Sequence, residues 1–195
     1  MVLQSNIATP GRPRDQMVRA SILVAAIAII DDEGPAGLSV DAIAKRAGTS
    51  RPTLYRWWRS KGEILLDALL EVTSEQVSYG QHATLIDDLK RHGRDYVALL
   101  AGPYGAAYRA VFAEGLADTK FMALVRNRLI GPRRTGTKER LRAAIKVNEL
   151  PADTDLEALI DALYAPFLYR LILGHQPLSS EFSDTHIEHT MKGYL

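Results

Sequence analysis

The segment from Leu38 to Lys61 constrains the fold more than any other part of this 195-residue chain. Its second residue, Ser39, is a good helix N-cap because its hydroxyl can accept a free backbone N–H of the first turn. Apolar residues then recur at spacings of three and four, as on one face of a short helix: Val40, Ile43, Ala44 and Ala47. Gly48 follows and suits a left-handed residue that ends a helix. The pattern predicts a short helix followed by a tight turn.

A second short helix is predicted directly after this turn. Thr49 or Ser50 can cap it, and Pro52 falls in its first turn, where a missing N–H is tolerated. Leu54 and Trp58 lie four residues apart and are expected to point into the core. The side chains left facing outward suit base edges, thymine methyl groups or phosphates: Arg51, Thr53, Tyr55, Arg56 and Trp57. The two helices therefore predict a helix-turn-helix that reads the major groove of DNA.

Charge is concentrated on the same part of the chain. Residues 1–61 contain nine Lys and Arg against five Asp and Glu, whereas residues 62–195 contain fifteen against eighteen. Ser60 and Lys61 begin the next predicted helix, whose free N–H groups and ammonium suit a backbone phosphate. Arg12 and Arg14 flank Pro13 in a polar arm. This arm either lies in an adjacent minor groove or is an ordinary solvated tail.

The segment resembles the DNA-binding domain of the TetR family of bacterial transcriptional regulators over about residues 15–70. The resemblance rests on Ile43-Ala44-Lys45-Arg46-Ala47-Gly48, Thr53-Leu54-Tyr55 and Lys61, with Trp58 where Phe is commoner. It implies that Tyr55 and Lys61 bind phosphates, while residues 51–53, 56 and 57 face the groove. With the expected caps and arm, the DNA-binding candidates are Ser39, Thr49, Ser50, Arg51, Pro52, Thr53, Tyr55, Arg56, Trp57, Lys61, Arg12 and Arg14.

The remainder of the chain is predicted to be helical, without strand-like alternation. Helical periodicity covers about 15–33, 61–79, 84–101, 104–117, 155–174 and 180–193, and a further helix starting near 118 is interrupted at Gly131-Pro132. We therefore predict an all-α fold of about nine helices. It comprises a flexible arm (1–14), a three-helix DNA-binding domain (15–61) and a connecting helix (62–80). The resemblance implies a helical ligand-binding and dimerisation domain over 81–195.

The predicted helix over about 155–174 is apolar nearly all round, so it must be buried on several sides. A single recognition helix reads few base pairs, and helix-turn-helix proteins commonly dimerise to read two half-sites. The resemblance implies the same, with a homodimer interface formed by this helix and the last predicted helix, and we place its contacts at Leu159, Leu163, Phe167 and Leu171. The alternative is a monomer in which this helix is wholly internal.

The resemblance also implies a pocket for a small-molecule effector after residue 80. Aromatic and polar-tipped side chains suit such a pocket, and the candidates are Tyr96, Tyr104, Tyr108, Phe112, Phe121, Met122, Tyr164, Phe167, Tyr169 and His175. Each of them can equally be ordinary core. Because few of these candidates are charged, they favour an apolar or aromatic effector. A basic run from Arg133 to Lys146 could face an anionic ligand or DNA, although a solvated helix face is the simpler interpretation.

Other functional classes find little support. No run of 18 apolar residues exists, and no apolar signal core precedes Gly11, which favours a cytoplasmic protein that joins the nucleoid when bound to DNA. The absence of cysteine excludes disulfides. His186 and His189 lack a clear third ligand, so we expect neither a metal nor another cofactor. No convergent acid–base pair or nucleophile motif is recognisable, so we do not expect an enzyme.

Together these patterns favour a ligand-responsive transcriptional regulator. We expect it to bind a palindromic DNA operator as a homodimer and to be released by a small apolar or aromatic effector. Repression, as opposed to activation, is what the family resemblance implies. The alternative is an architectural or activator-type DNA-binding protein without small-molecule input.

Overall fold

In the computed structural model, residues 12–76 and 84–194 are described, with residues 12–14 and 74–76 described by their backbone alone. Within these ranges the regular structure is entirely helical. The helices are α1 (Arg12–Gly37), α2 (Val40–Arg46), α3 (Arg51–Tyr55), α4 (Lys61–Gln76), α5 (Leu85–Ala101), α6 (Pro103–Ala117), α7 (Thr119–Val125), a π-helical turn (Arg126–Ile130), α8 (Gly131–Lys146), α9 (Leu156–Leu173) and α10 (Ser180–Met191). The predicted all-α fold is confirmed. Among the described helices, none is long and apolar enough to cross a membrane.

Helix α1 begins three residues before its predicted start. Its backbone includes Arg12 and Arg14, but their side chains, like the whole of residues 1–11, lie outside the part of the chain that can be described. The predicted stop at Gly34-Pro35 corresponds to a kink, since Gly34 has φ 72° and ψ −175° inside the helical span. A positive φ is accessible to glycine without steric cost, and it turns the chain towards α2.

The sequence signals of the helix-turn-helix have their expected local structures. The Ser39 hydroxyl accepts a hydrogen bond from the Ala42 N–H at 3.1 Å and so caps α2. Gly48 has φ 63° in the turn that follows. Helix α3 is shorter than its side-chain pattern suggested, but the Trp58 N–H still bonds the Leu54 carbonyl at 3.0 Å. The helical turn therefore continues past the end of α3 and carries Arg56 and Trp57 on its surface.

One hydrophobic core joins the first four helices to the middle of the chain. Leu54 and Trp58 are 1% and 3% exposed, so the predicted inward face of the second motif helix is confirmed. Both belong to a cluster that also includes side chains from α1, α4, α6 and α7. Helix α4 contacts both α1 and α6, so it connects the helix-turn-helix to the C-terminal helices.

The predicted interruption at Gly131-Pro132 is instead a π-helical turn within a continuous helical path from α7 to α8. The Gly131 N–H bonds the carbonyl of Arg126, one residue further back than in an α-helix. Pro132 has no N–H to donate and its ring would crowd the preceding turn of an α-helix. A locally wider turn accommodates this proline without ending the helix.

A second core lies at the far end of the molecule, where α5, α8, α9 and α10 meet. Of the four predicted interface residues, Leu159 and Leu163 belong to this core, while Phe167 and Leu171 belong to the first. All four are at most 5% exposed inside a single chain. These four side chains therefore lie inside the protomer and not on its surface, and the place where two protomers meet stays a prediction. The face of α9 that carries its larger apolar side chains is turned into the protomer core. Burying these side chains removes more apolar surface from water than burying the alanine face would.

Candidate nucleic-acid interface and cavity

Helix α3 and the two residues after it carry six of the twelve predicted DNA-binding residues. Arg51, Pro52, Tyr55 and Arg56 are exposed, with Tyr55 at 50%, whereas Thr53 and Trp57 are partly buried. Leu54, on the opposite side of α3, packs into the hydrophobic core and holds the helix in place. The structure therefore brings together the side chains that the sequence pattern assigned to the outer face of the motif.

Weak internal contacts hold the two arginines of this surface. Arg51 Nε lies 3.3 Å from Asp41 Oδ1, and a hydrogen bond with Tyr55, assisted by the charge of Asp41, raises the pKa of Arg51 above its ordinary value. Arg56 lies 3.4 Å from Asp15, and its guanidinium is 4.9 Å from the centre of the Trp57 ring. Because exposed ion pairs contribute little, both guanidinium groups can exchange these contacts for bases or phosphates.

The hydroxyl residues of the interface mainly organise its backbone. Ser39 is engaged in its cap, and the Ser50 and Thr53 hydroxyls lie 2.9 Å apart across the first turn of α3. Ser50 occupies the N-cap position of α3, although its side chain makes no capping hydrogen bond. The Thr49 N–H bonds the Ala44 carbonyl at 3.0 Å and closes the turn. These contacts set the angle between α2 and α3.

Lys61 lies beside the start of α2, although it begins α4. Its Nζ donates to the Leu38 carbonyl at 3.0 Å, which places the ammonium next to the cap of α2. The first turn of α4 is already occupied by an internal anion. Ser60 donates to Glu114 at 2.9 Å, and a Cβ on Gly62 would lie 2.4 Å from that carboxylate. The Glu63 N–H bonds the Ser60 hydroxyl at 3.2 Å, so this end of α4 is capped within the chain and has a carboxylate from α6 beside it.

A buried carboxylate connects the DNA-facing helices to the π turn. Asp67 on α4 accepts from Trp58 Nε1 at 2.9 Å and from Arg19 of α1 at 2.8 Å. Its second oxygen forms an ion pair with Arg128 of the π turn at 2.8 Å. The Asp67 side chain is 10% exposed. One side chain thus holds α1, the end of the helix-turn-helix and the C-terminal helices together.

A cavity of about 350 Å³ opens between α5, α6, the π turn, α8 and α9. Four predicted pocket residues line it: Tyr96, Tyr108, Phe112 and Tyr164. Its remaining lining was not among those candidates and consists of Leu129, Ile130, Arg133, Arg134, Asp161, Ala165 and Leu168. Its volume lies within the range of small-molecule sites, which is roughly 300–1,000 Å³.

The other predicted pocket residues lie elsewhere. Tyr104 borders a separate hollow, and Phe121 and Phe167 are buried in the core. Met122 packs against Gly115. Tyr169 and His175 contact each other at the surface, with ring centres 4.7 Å apart. These six positions are thus not part of the cavity wall.

Hydrogen bonds fix the polar side of the cavity. The Tyr164 hydroxyl lies 2.7 Å from His92 Nε2 and 2.9 Å from the Thr137 hydroxyl. Burial raises the pKa of Tyr96 and Tyr108 above the ordinary value of tyrosine. Their phenols are therefore protonated at neutral pH and can donate or accept hydrogen bonds.

Three of the six basic residues in the run from Arg133 to Lys146 form ion pairs within the protein. Arg134 and Lys138 contact Glu157, and Arg134 also contacts Asp161. Arg140 pairs with the buried Asp88. Arg133 lines the cavity, and Arg142 and Lys146 are exposed. The members of the run therefore lie in different surroundings, which sequence spacing alone could not distinguish.

Helix α9 leaves an apolar stripe exposed on its outer side. The stripe comprises Ala158, Ala162, Ala165, Tyr169 and Leu173, at spacings of three and four, and Ala165 belongs to the cavity lining as well. Tyr169 and Leu173 are 58% and 57% exposed, and Ala162 is partly buried. Small side chains followed by exposed apolar ones are suited to the close approach of another helix.

Comparison with known proteins identifies the family. Residues 22–68 match the family of "Bacterial regulatory proteins, tetR family", and residues 81–190 match the "Tetracyclin repressor-like, C-terminal domain". The chain belongs to the TetR family. It is therefore a helix-turn-helix transcriptional regulator, as the resemblance of the motif implied.

Similarity to other TetR-family proteins extends over nearly the whole chain. An uncharacterised regulator of Bacillus subtilis, YdeS, is 28% identical over 183 residues, which cover 94% of this chain and 92% of that protein. The transcriptional repressor TetR of Mycobacteroides abscessus is 28% identical over 175 residues, covering 87% and 89%. Among solved structures, the regulator SCO0332 has a TM-score of 0.76 at 26% identity and covers 90% of this chain and 97% of that one.

A further structure shares the fold alone. It is FadR from Bacillus subtilis in complex with stearoyl-CoA, with a TM-score of 0.69 at 20% identity over 89% of this chain and 98% of that one. That complex shows a TetR-like fold with a ligand bound. The identity of any ligand for the present regulator must be argued from its own cavity.

Proposed function

We propose that this TetR-family regulator binds a palindromic operator as a homodimer and represses transcription until a small apolar or aromatic effector enters the cavity. The observation that carries the proposal is the course of α4. Lys61 begins this helix at the DNA-facing surface, and Asp67, nearly two turns later, pairs with Arg128. Arg128 directly precedes Leu129 and Ile130 of the cavity wall. One helix therefore begins at the DNA-facing surface and pairs with the turn that adjoins the cavity wall.

The DNA-facing residues divide into two groups under this proposal. Lys61 and Tyr55 bind phosphates, whereas Arg51, Thr53, Arg56 and Trp57 reach base edges. Ser39, Thr49, Ser50 and Pro52 position the two helices and add backbone contacts. Arg12 and Arg14 precede the described side chains, and we assign them to an adjacent minor groove. The proposal places the protein in the cytoplasm, on the nucleoid when it is bound to DNA.

The effector acts through the difference in its affinity for two conformations. A compound in the cavity contacts Leu129 and Ile130 and shifts the π turn that carries Arg128. Because Asp67 also holds Trp58 and Arg19, this shift changes the position of the helix-turn-helix relative to α6. In a dimer, the same movement alters the spacing of the two recognition helices.

Binding to the intergenic DNA upstream of the protein's own gene tests this function. We expect two protomers per site, a preference over a scrambled duplex of at least about 1,000-fold, and weaker binding as salt increases. The measurement is fluorescence anisotropy at two salt concentrations. Equal affinity for both duplexes would mean that the operator lies elsewhere, and binding sites would then be selected from random DNA. Failure of that selection to enrich any sequence would overturn operator recognition, and a complex that no compound affects would favour an architectural role.

The exposed stripe of α9 is the proposed dimer surface. Replacing Tyr169 by glutamate places a charge on this apolar surface, so we expect a protein that is monomeric at micromolar concentration. Sedimentation velocity measures the change, and operator affinity should fall with it. The matched control is Leu116→Glu, because Leu116 is 81% exposed on α6 and does not belong to the α9 stripe. A Tyr169→Glu protein that remains dimeric would show that the dimer uses another surface.

A further inference from the structure

The first turn of α4 is held by a carboxylate from another helix. The Ser60 hydroxyl accepts a hydrogen bond from the Glu63 N–H at 3.2 Å and donates its own proton to Glu114 Oε1 at 2.9 Å. A serine hydroxyl has one proton to donate, so the carboxylate of α6 fixes the orientation in which Ser60 caps α4. The cap of α4 therefore depends on a side chain that lies 54 residues away along the sequence.

The bare backbone at Gly62 lets this carboxylate lie close to α4. Gly62 is buried, and a Cβ at this position would lie 2.4 Å from the carboxylate of Glu114. A side chain at this position would therefore displace the end of the Glu114 side chain. The carboxylate thus lies against the residues on both sides of Lys61.

Lys61 joins the same turn to the start of α2. It is exposed, and its Nζ donates to the Leu38 carbonyl at 3.0 Å, directly before the Ser39 cap. A lysine carries its charge on a flexible stem, so the place of the ammonium depends on where the backbone holds that stem. The first turn of α4 therefore sets where the Lys61 ammonium is presented to DNA.

We infer that Glu114 is a positioning residue of the DNA-binding surface. Through the Ser60 hydroxyl and the bare backbone of Gly62, it holds the first turn of α4 so that the Lys61 ammonium reaches a DNA phosphate. The negative charge of Glu114 itself repels DNA, so its contribution is geometric. This inference rests on the proposed phosphate contact of Lys61 and names the residue of the C-terminal helices on which that contact depends.

Glu114→Gln and Glu114→Ala separate position from charge. Both remove the negative charge, but only glutamine retains an acceptor for the Ser60 proton. Each full-length variant is titrated against a labelled duplex of scrambled sequence by fluorescence anisotropy at about 50 mM salt. A phosphate contact carries no sequence information, so this test does not require the operator. The alanine variant should bind about three- to tenfold more weakly than the glutamine variant, which corresponds to one ordinary hydrogen bond.

The same two variants in a Lys61→Ala background show whether Glu114 acts through Lys61. Without the ammonium they should bind DNA equally, a non-additivity that a general effect on folding would not produce. A difference of the same size with and without Lys61 would overturn the inference, and so would equal binding with Lys61 present. If Lys61→Ala alone leaves DNA affinity unchanged, the phosphate contact of the proposed function fails and the inference fails with it.

Gly62→Ala tests the same contact from the side of α4. Alanine favours a helix more than glycine does, yet its Cβ would displace the Glu114 carboxylate. We therefore expect weaker DNA binding in the otherwise unchanged protein and no further loss when Glu114 is already alanine. Circular dichroism establishes that each variant is folded. If Glu114→Ala does not fold, Gly62→Ala decides the assignment: no loss of DNA affinity, or a loss that persists without Lys61, would contradict it.

Discussion

Lys61→Ala should weaken binding to operator and to scrambled DNA by the same factor. The ammonium beside the Leu38 carbonyl is proposed to contact a phosphate, which carries no sequence information. Each lost phosphate contact reduces the slope of log affinity against log salt by about 0.9, so a dimer should lose about 2. Fluorescence anisotropy between about 50 and 200 mM salt measures this slope.

Lys45→Ala is the charge-matched control for Lys61. Lys45 is exposed on α2 and is not among the residues predicted to contact DNA. Its removal changes the net charge equally but should change the salt slope much less. Equal slopes for the two variants would indicate a general charge effect and would contradict a phosphate contact at Lys61.

Arg51→Ala should show the opposite pattern, because its guanidinium is proposed to read a base. We expect loss of about 1–3 kcal/mol of discrimination per half-site, with little change in the affinity for scrambled DNA. Competition among single-base operator variants measures this discrimination. A uniform loss of affinity across all variants would instead assign Arg51 to the phosphate backbone.

Asp67→Ala is expected to reduce the free energy of unfolding by about 2–4 kcal/mol, as measured by urea denaturation. The substitution leaves Trp58 Nε1 without its acceptor in the core and removes one carboxylate from two arginines. The side chains of Arg19 and Arg128 are 35% and 43% exposed. Water can therefore solvate both cations partly, which keeps the loss below that of a fully buried ion pair.

Two neighbouring substitutions separate burial from charge. Glu71→Ala removes a carboxylate that also contacts Arg19 but is 49% exposed, so it should cost at most about 1 kcal/mol. Arg128→Ala should likewise change stability little, yet it should reduce the effect of a cavity ligand on DNA affinity. Similar losses for Asp67 and Glu71 would show that the buried hydrogen bond to Trp58 contributes little.

The helix-turn-helix could be predicted from sequence because its determinants are local. The cap at Ser39, the positive φ of Gly48 and the buried pair Leu54 and Trp58 each depend on residues within a few positions. The occupant of the α4 N-terminus could not be predicted in this way. Glu114 lies 54 residues from Ser60, and only packing of α6 on α4 brings them together.

The cavity was predictable only in part for the same reason. Tyr96, Tyr108 and Tyr164 combine an apolar ring with a polar group, but the same composition describes the buried core around Phe167. Arg133 and Arg134 are adjacent in α8 and point in directions about 100° apart, which the residue types do not reveal. For α9, an apolar pattern all round did not show which side faces inward. The sizes of the side chains did indicate the inward face of α9. Alanines occupy much of the outer stripe, whereas the larger Leu159 and Leu163 lie in the core.

The π turn also resolves a mismatch of helical phase. Core-facing positions from α7 to α8 repeat every four residues, as Phe121, Val125, Leu129, Arg133, Thr137 and Leu141. In a straight α-helix each four-residue step overshoots a full turn by about 40°, so five steps would rotate the last side chain by about 200° from the first. The extra residue in the π turn before Pro132 reduces this rotation by about 100°, which is half of it. The continuous helical path from α7 to α8 can therefore contact α4 through Arg128 and line the cavity through Arg133.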